Sequence, residues 1–499
     1  MMSLLAALLC LACGFLLVCL GWPQLRPTFS DYLFIASLSV GVGLGVFSMV
    51  FFLSLLLDTA RFLLVDFVVL ALFLIAFFGM RIQRAAVSLV MPVEQISEMR
   101  TWYGRLVMTG FAIALGCALY AAAMRLWAYP HGDGWDAFSI WNLRARFLFL
   151  GGAHWRDGFT ASLPWSHPDY PLLLPAAIAH FWVYLGHDAP AVPAVIGFLF
   201  TFSTVALLFA ALSLFRGRTP AMLGAIALLA TPSFIEQGTS QYADVPLSFF
   251  ILASIALLCI HDGLAQSELA RSDSPQEDRK QTARGPGLLA LAGLAAGFAA
   301  WTKNEGLLFL CAMLLARLVT VARCGPLGRD WFSGVRQIAP LALAAVPALL
   351  LIAGFKHFIA PPGDLFSASA SPLHKLLEPA RYWAILQWYV KGFFRFGRWL
   401  LLPGSLLLVG YYFAAGKEKY AEPQAGIRMS SLALALTLAG YFAVYLVTPY
   451  DIFWHLRFSL TRLFLQLWPS SIFLFFLLVK WSEAKDSLAE LRRNAPDHA

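Results

Sequence analysis

Charge is what this sequence lacks most. Asp, Glu, Lys and Arg make up 13% of its 499 residues, where a soluble domain carries about 25%. Hydrophobic residues reach 60% and the mean hydropathy is +0.72. Those figures exclude an ordinary soluble domain, a disordered chain, a coiled coil and collagen. Cysteine is sparse as well. The seven are Cys10, Cys13, Cys19, Cys117, Cys259, Cys311 and Cys324, almost all inside apolar runs. No disulfide framework is written in that spacing. Cys10 and Cys13 form a CxxC in an uncharged stretch, where apolar helix filler is the expected role. The chain has no P-loop, no HExxH, no GxSxG and no EF-hand loop. The missing nucleotide motif counts against ATP-driven transport. No internal repeat is evident, which counts against the repeat-built secondary transporters. Gly41, Gly43 and Gly45 follow no strand, so Gly41 and Gly45 read as GxxxG helix packing.

What the chain has is long apolar runs. A membrane span needs about 20 mostly apolar residues. Thirteen segments qualify, some marginally: 2–21, 32–57, 62–80, 106–124, 191–215, 219–235, 245–260, 287–301, 306–322, 338–355, 399–415, 430–448 and 463–480. The fold class expected is therefore an all-α polytopic membrane protein of about 13 transmembrane helices. The first segment has no basic n-region and no clear cleavage site, so it reads as a span rather than a signal peptide.

Charge sets the direction. The net charge is +8. In a membrane protein such an excess sits in cytoplasmic loops, beside anionic lipid, and does not call for nucleic acid. With the N-terminus outside, most of the 36 Lys and Arg residues fall on inner segments. Short outer loops then keep only Arg61, Lys303, Arg457 and Arg462. This places 125–190 and 356–398 outside. The polar stretch 261–286 becomes a flexible inner linker, and 481–499 a cytoplasmic tail. The polar clusters at 131–170, 236–244, 303–305 and 449–462 all fall outside, which suggests one outward-facing site.

Each cluster has a functional and a plainer reading. In HGDGWDAFSIWNLRARF (131–147), Asp136 would sit in a first helical turn, where the dipole favours a carboxylate. A carboxylate so placed can take a proton from an acceptor hydroxyl. Asp133 fits either a second carboxylate or a Gly-rich turn. Trp135 and Trp141 fit an apolar wall, a sugar platform or an interfacial belt. In WSHPDYPLLLP (165–175), the His167-Pro168 and Tyr170-Pro171 steps force extended backbone. A short re-entrant or interfacial helix begins near Leu172. His167 and Asp169 suit local capping as well as a site. Glu236, Gln241, Tyr242 and Asp244 cluster at the tip of a helical pair, where ionisable groups are costly and usually functional. Asp244 equally suits a cap for the helix that follows. Lys303 and Glu305 lie in a very tight link between two spans, where a lysine can snorkel to the interface. His455, Arg457 and Arg462 are basic where short outer loops avoid basic residues, so they call for an anion such as a lipid phosphate or a headgroup.

Five stretches carry a resemblance: WDAFSIWNLRARFL (135–148), HPDYPLLLP (167–175), QYADVPL (241–247), GLAAGFAAWTKNEGLLFL (293–310) and WHLRFSLTRLFLQLWP (454–469). In order and spacing they resemble bacterial membrane glycosyltransferases of the C superfamily, nearest the branch of protein mannosyltransferases and aminoarabinose transferases. The resemblance covers about 106–480; residues 1–105 form a three-span segment with no assigned role. It implies a GT-C-like fold with a large outer loop bearing short interfacial helices. It further implies a sugar donor on polyprenyl phosphate and transfer to a glycan, lipid or protein acceptor at the outer face of the bacterial inner membrane. An acidic residue of the first outer loop acts as base in that family, and Asp136 matches it. The family's Asp-Glu pair is absent, because Ala137 follows Asp136. That leaves Asp133 or Asp244 as second carboxylate and weakens the case for a divalent metal. By the resemblance, Lys303, Arg457, His455 and Arg462 would meet the donor phosphate. Trp135, Trp141, His167, Tyr170, Tyr242 and Glu305 would line the substrate. The rival classes are a secondary transporter or lipid flippase, and a non-catalytic assembly subunit.

Overall fold

The computed structural model describes residues 2–23, 28–59, 61–83, 102–269, 286–324, 331–363, 372–398, 404–416 and 424–480. Among them no β-strand occurs. The helices are α1 (Met2–Gly21), α2 (Phe29–Leu56), α3 (Phe62–Gln83), α4 (Trp102–Ala128), α5 (Leu143–Leu150), α6 (Leu173–Leu185), α7 (Ala191–Arg216), α8 (Arg218–Leu229) and α9 (Pro232–Thr239). Then come α10 (Asp244–Leu269), α11 (Pro286–Thr302), α12 (Asn304–Cys324), α13 (Trp331–Phe358), α14 (Pro379–Arg395), α15 (Gly404–Ala415), α16 (Gln424–Val447) and α17 (Ile452–Leu478). A π-helix, Ala137–Asn142, leads into α5. Residues 481–499, most of the linker 261–286 and residues 399–403 lie outside the described set.

Ten of these helices are long and apolar enough to cross a membrane, and the chain is a multi-pass membrane protein. The thirteen apolar segments are helical where described. Three fall short of a full span. The segment 219–235 becomes α8 and α9, bent by 67° at Ala230-Thr231. The other two are α11, with 17 residues, and α15. A proline explains the bend: Pro232 opens α9 and has no N–H to continue α8.

Burial ranks the helices from centre to rim. The most apolar stretch of α10 is 83% buried, whereas that of α3 is 6% buried. In a bilayer the exposed apolar face of α3 meets lipid tails. The N-terminal helices are not a separate unit. α2 packs against α1, α6 and α7 and touches α10 and α11. Its glycines permit this. A Cβ on Gly43 would run into the Cys10 carbonyl of α1, while Gly41 and Gly45 receive the rings of Phe249 and Phe298. Small residues let helices approach closely where lipid offers no hydrophobic drive. Cys10 and Cys13 are buried free thiols in that packing. A capping box on Thr28 and Asp31 starts α2.

At the opposite end of α10 from Asp244, Arg317 Nη1 of α12 donates to both oxygens of Asp262 at 2.8 Å, and Nη2 reaches Gln337 of α13 at 3.3 Å. This buried fork ties α10, α12 and α13 together. The segment after α13 is fastened by cations to helix ends. Lys375 donates to the Thr448 carbonyl and Arg381 to those of Tyr445 and Leu446. These are carbonyls at the C-terminus of α16 that no helical N–H can reach. α14 buries Ile385 and exposes Trp383, Leu386, Val390 and Phe393, as an interfacial helix does.

Candidate functional site

Three carboxylates and two cations from five segments form one chain of contacts. Asp136 Oδ2 lies 2.7 Å from Arg462 Nη2. Arg462 Nε donates to Asp244 Oδ2 at 2.8 Å. Asp244 Oδ1 accepts from Lys303 Nζ at 3.0 Å and from Gln466 Nε2 at 2.6 Å. Lys303 Nζ also meets Glu305 Oε1 at 2.9 Å. With three carboxylates to two cations, the chain carries one net negative charge when every group is ionised.

Local sequence explains each placement. Asp136 directly precedes the π-helix, a rare form that recurs at functional sites. The turn before it needs two left-handed residues, Gly132 (φ 89°) and Gly134 (φ 99°). A Cβ on Gly134 would strike the Tyr242 hydroxyl. Asn142 Nδ2 donates to Gln241 Oε1 at 2.8 Å, and Gln241 Nε2 to the Pro130 carbonyl at 3.1 Å. These bonds lock the loop onto the corner before α10. Gln241 and His167 both have positive φ, at 63° and 46°. Such strain in non-glycine residues persists only where the surroundings impose it, and it clusters at functional sites.

Asp244 is the first residue of α10 and is fully buried. Its carboxylate faces Lys303, Arg462 and Gln466 and does not cap its helix. Lys303 fills the single position between α11 and α12, yet it is only 4% exposed. It turns inward to the carboxylates and does not snorkel. Burial alone would depress its ammonium, but the nearby Asp244 and Glu305 carboxylates override this and hold its pKa above the ordinary lysine value. Tyr170 sits against this pair, with Lys303 Nζ 5.8 Å from its ring centroid, and burial pushes its phenol well up. It is a neutral hydroxyl at physiological pH.

The structure separates some residues that sequence grouped together. Helix α17 begins at Ile452, eleven residues before the apolar run at 463, so Arg457 and Arg462 share one helix. Five residues apart, they point about 140° from each other. Arg457 is exposed over the Phe458 ring and lies outside the network. His455 Nδ1 is hydrogen-bonded to the Thr448 hydroxyl and packs on Tyr445. Asp133 pairs with Arg125, whose Nε also reaches Thr239. It fastens α4 to α9 and stands apart from Asp136. Trp135 is 62% exposed, whereas Trp141 is fully buried. The two cannot form one platform. Trp141 packs between the Arg144 guanidinium and the Tyr170 ring, and His167 stacks on Tyr170 at 4.8 Å. Tyr242 lies under the Arg462 guanidinium at 4.9 Å.

The site also uses residues that the sequence left unmarked. Gln466 stands one turn after Arg462, on the same face of α17, and accepts from the Tyr441 hydroxyl at 2.8 Å. A lone amide in an apolar run is the signal that would have found it. Asn304 and Lys356 were unmarked too: Asn304 Nδ2 donates to the Asp169 carboxylate at 2.9 Å, and Lys356 Nζ to the Asp169 carbonyl at 3.0 Å. Arg144 is fully buried and donates to the Tyr170 carbonyl at 2.7 Å; burial lowers its guanidinium to about 10. Four buried atoms around this wall have no hydrogen-bond partner among the described residues: Trp141 Nε1, Arg144 Nη2, Asn304 Oδ1 and Glu305 Oε2. Buried polar groups are rarely left so, and a polar ligand would complete them. No group of three or more His, Cys, Asp and Glu residues placed to hold a metal ion occurs among the described residues.

No family model matches this chain, and no curated protein and no solved structure matches it either.

Proposed function

We propose that this membrane protein is a glycosyltransferase that moves a sugar from a polyprenyl-phosphate donor to an acceptor hydroxyl at the outer face of the bacterial inner membrane. The observation that carries the reading is the placement of Asp136. Of the network's three carboxylates, Asp136 is the partly exposed one that an arginine clamps at the loop edge, while Asp244 behind it is sealed. Asp136 accepts the proton of the acceptor hydroxyl. The acceptor oxygen forms the new bond to the sugar C1 as the bond from C1 to the phosphate oxygen breaks. The electron pair of that bond leaves on the lipid phosphate, and the configuration at C1 inverts. The leaving phosphate gains negative charge, so a preorganised cation beside it favours the transition state over the ground state. The reading gives that role to Arg462, whose planar fork is held in place by Asp136 and Asp244 beside the proposed base. Asp244 has no exposed surface and serves as the anchor of Lys303 and Arg462.

The test is sugar release by the purified full-length chain from a polyprenyl-phosphate sugar. Asp136→Asn, which keeps the shape, is expected to lose at least about 100-fold in turnover, the lower range of general-base catalysis, with unchanged thermal stability. Near-normal turnover removes Asp136 from the mechanism.

A second reading, a secondary transporter or lipid flippase, draws on the net negative charge of a network buried between helices, the form that proton and cation carriers use. Uptake or scrambling by the protein in liposomes, with no sugar released from any lipid-phosphate donor, favours it.

A further inference from the structure

The strongest unassigned feature lies at the far end of α6 from the candidate site. The starts of α1 and α3 and the end of α6 enclose an open cavity of about 490 Å³. It is lined by Met2, Phe62, Leu63, Leu64 and Val183, with Arg61 and Tyr184 as its polar residues. Leu173, at the start of α6, and Tyr184 are about 17 Å apart along that helix, so this cavity is distinct from the charged network.

The chemistry of the rim is specific. Arg61 is exposed one residue before α3, and its guanidinium has no ion pair or hydrogen bond among the described residues. An arginine there stands at the level of lipid phosphates, and its planar fork matches two phosphate oxygens. It is also a basic residue on the side where short loops avoid them. Behind the cavity wall the Tyr184 hydroxyl donates to Asp66, which also accepts from His180 Nε2 at 2.9 Å. Asp66 and His180 are both buried. The Tyr184 proton is thus committed to Asp66, and its oxygen keeps the capacity to accept. This triad fixes the end of α6 to α3 and keeps the cavity's shape.

Size and lining decide the occupant. Pockets of about 300–1,000 Å³ hold small molecules rather than single ions. A free phosphate would fill a small part of the space and leave apolar walls facing water. A glycerophospholipid meets both requirements: a phosphodiester for the arginine and methylenes for the walls. We propose that this cavity binds one glycerophospholipid of the leaflet on the candidate site's side. Its phosphodiester rests on Arg61, a headgroup donor reaches the Tyr184 oxygen, and its acyl stems lie against Met2, Leu63 and Val183.

The experiment is native mass spectrometry of the full-length protein, delipidated in detergent and titrated with phosphatidylglycerol. Arg61→Gln removes the fork and Leu63→Trp fills the space. Arg156→Gln serves as control, because Arg156 is exposed on the same side outside the cavity. The expected result is one retained lipid per chain, with retention at least about tenfold weaker in Arg61→Gln, as for loss of a charge-assisted hydrogen bond. Leu63→Trp should weaken it too, with the control unchanged. Equal retention by wild type and Arg61→Gln overturns the proposal, as does an equal loss in Arg156→Gln. Displacement of the lipid by millimolar inorganic phosphate would mark an anion site and overturn it as well. Matching thermal unfolding of the delipidated proteins shows that each variant is folded; should Leu63→Trp fail that check, Arg61→Gln alone decides.

Discussion

The pair Lys303–Asp244 provides the sharpest test of the charged network. Lys303→Met removes the ammonium at similar length, and Asp244→Asn removes the opposing charge at constant shape. The two groups are 3.0 Å apart and almost fully buried. At an effective dielectric constant near 20 this separation gives an attraction of roughly 5–6 kcal/mol, set against the cost of taking both charges out of water. Breaking a buried pair from one side typically costs about 3–5 kcal/mol, because the other charge is stranded. Neither group is wholly stranded here. Asp244 keeps Arg462 and Gln466, and Lys303 keeps Glu305. Each single variant should therefore fall at the lower end, about 3 kcal/mol. The double variant removes both members at once and should cost about 4 kcal/mol rather than about 6, a coupling of about 2 kcal/mol, within the range for contacting residues. SDS titration of the purified protein in mixed micelles reads these differences. Additivity within about 0.5 kcal/mol would show that the two charges do not sense each other in the folded protein, and the network would lose its central link.

Three further outcomes follow from the same geometry. Arg462→Lys keeps the charge but loses the fork that spans Asp136 and Asp244. It should lower turnover with a lipid-phosphate sugar by at least about tenfold, the equivalent of one charge-assisted hydrogen bond, whereas Arg457→Gln stays within about twofold; equal effects would refute the assignment. Gly134→Ala puts a Cβ at φ 99° against the Tyr242 hydroxyl, so it should destabilise the protein by about 1–3 kcal/mol and displace Asp136, read as a lower Tm together with lost turnover. For pH, the folded Lys303 pKa lies above the ordinary value. The stability that Lys303 contributes is complete below about 10.4 and falls as pH rises through the higher folded value. The stability difference between wild type and Lys303→Met should then be flat from neutral pH to about 9 and shrink only above about 10.4; a decline between pH 6 and 8 would contradict the pairing.

Membrane spans were legible because hydrocarbon imposes a length and a composition on any helix that crosses it. α1, α2 and α7 begin and end within a few residues of their apolar runs. The rule failed where a helix continues past its apolar part. The polar turn 452–462 reads as a loop, but its backbone stays helical, and that rotates Arg457 away from Arg462. The candidate site was legible as a set of residue types. Asp136, Asp244, Lys303, Glu305 and Arg462 are ionisable groups beside apolar helix, which is costly enough to single them out. Which of them touch was decided by packing alone. Asp133 lies three residues from Asp136 and belongs to another pair, whereas Asp244 and Arg462, 218 residues apart, share a hydrogen bond. Gln466 and Asn304 carry no charge that would mark them, and their roles arise only because α17 meets α10 at Asp244 and α12 meets the loop before α6 at Asp169. Sequence by itself determined which groups are too polar for a membrane to tolerate unpaired. Only the tertiary structure chose their partners, because a partner is a neighbour in space, and helix crossings set spatial neighbours without regard to distance along the chain.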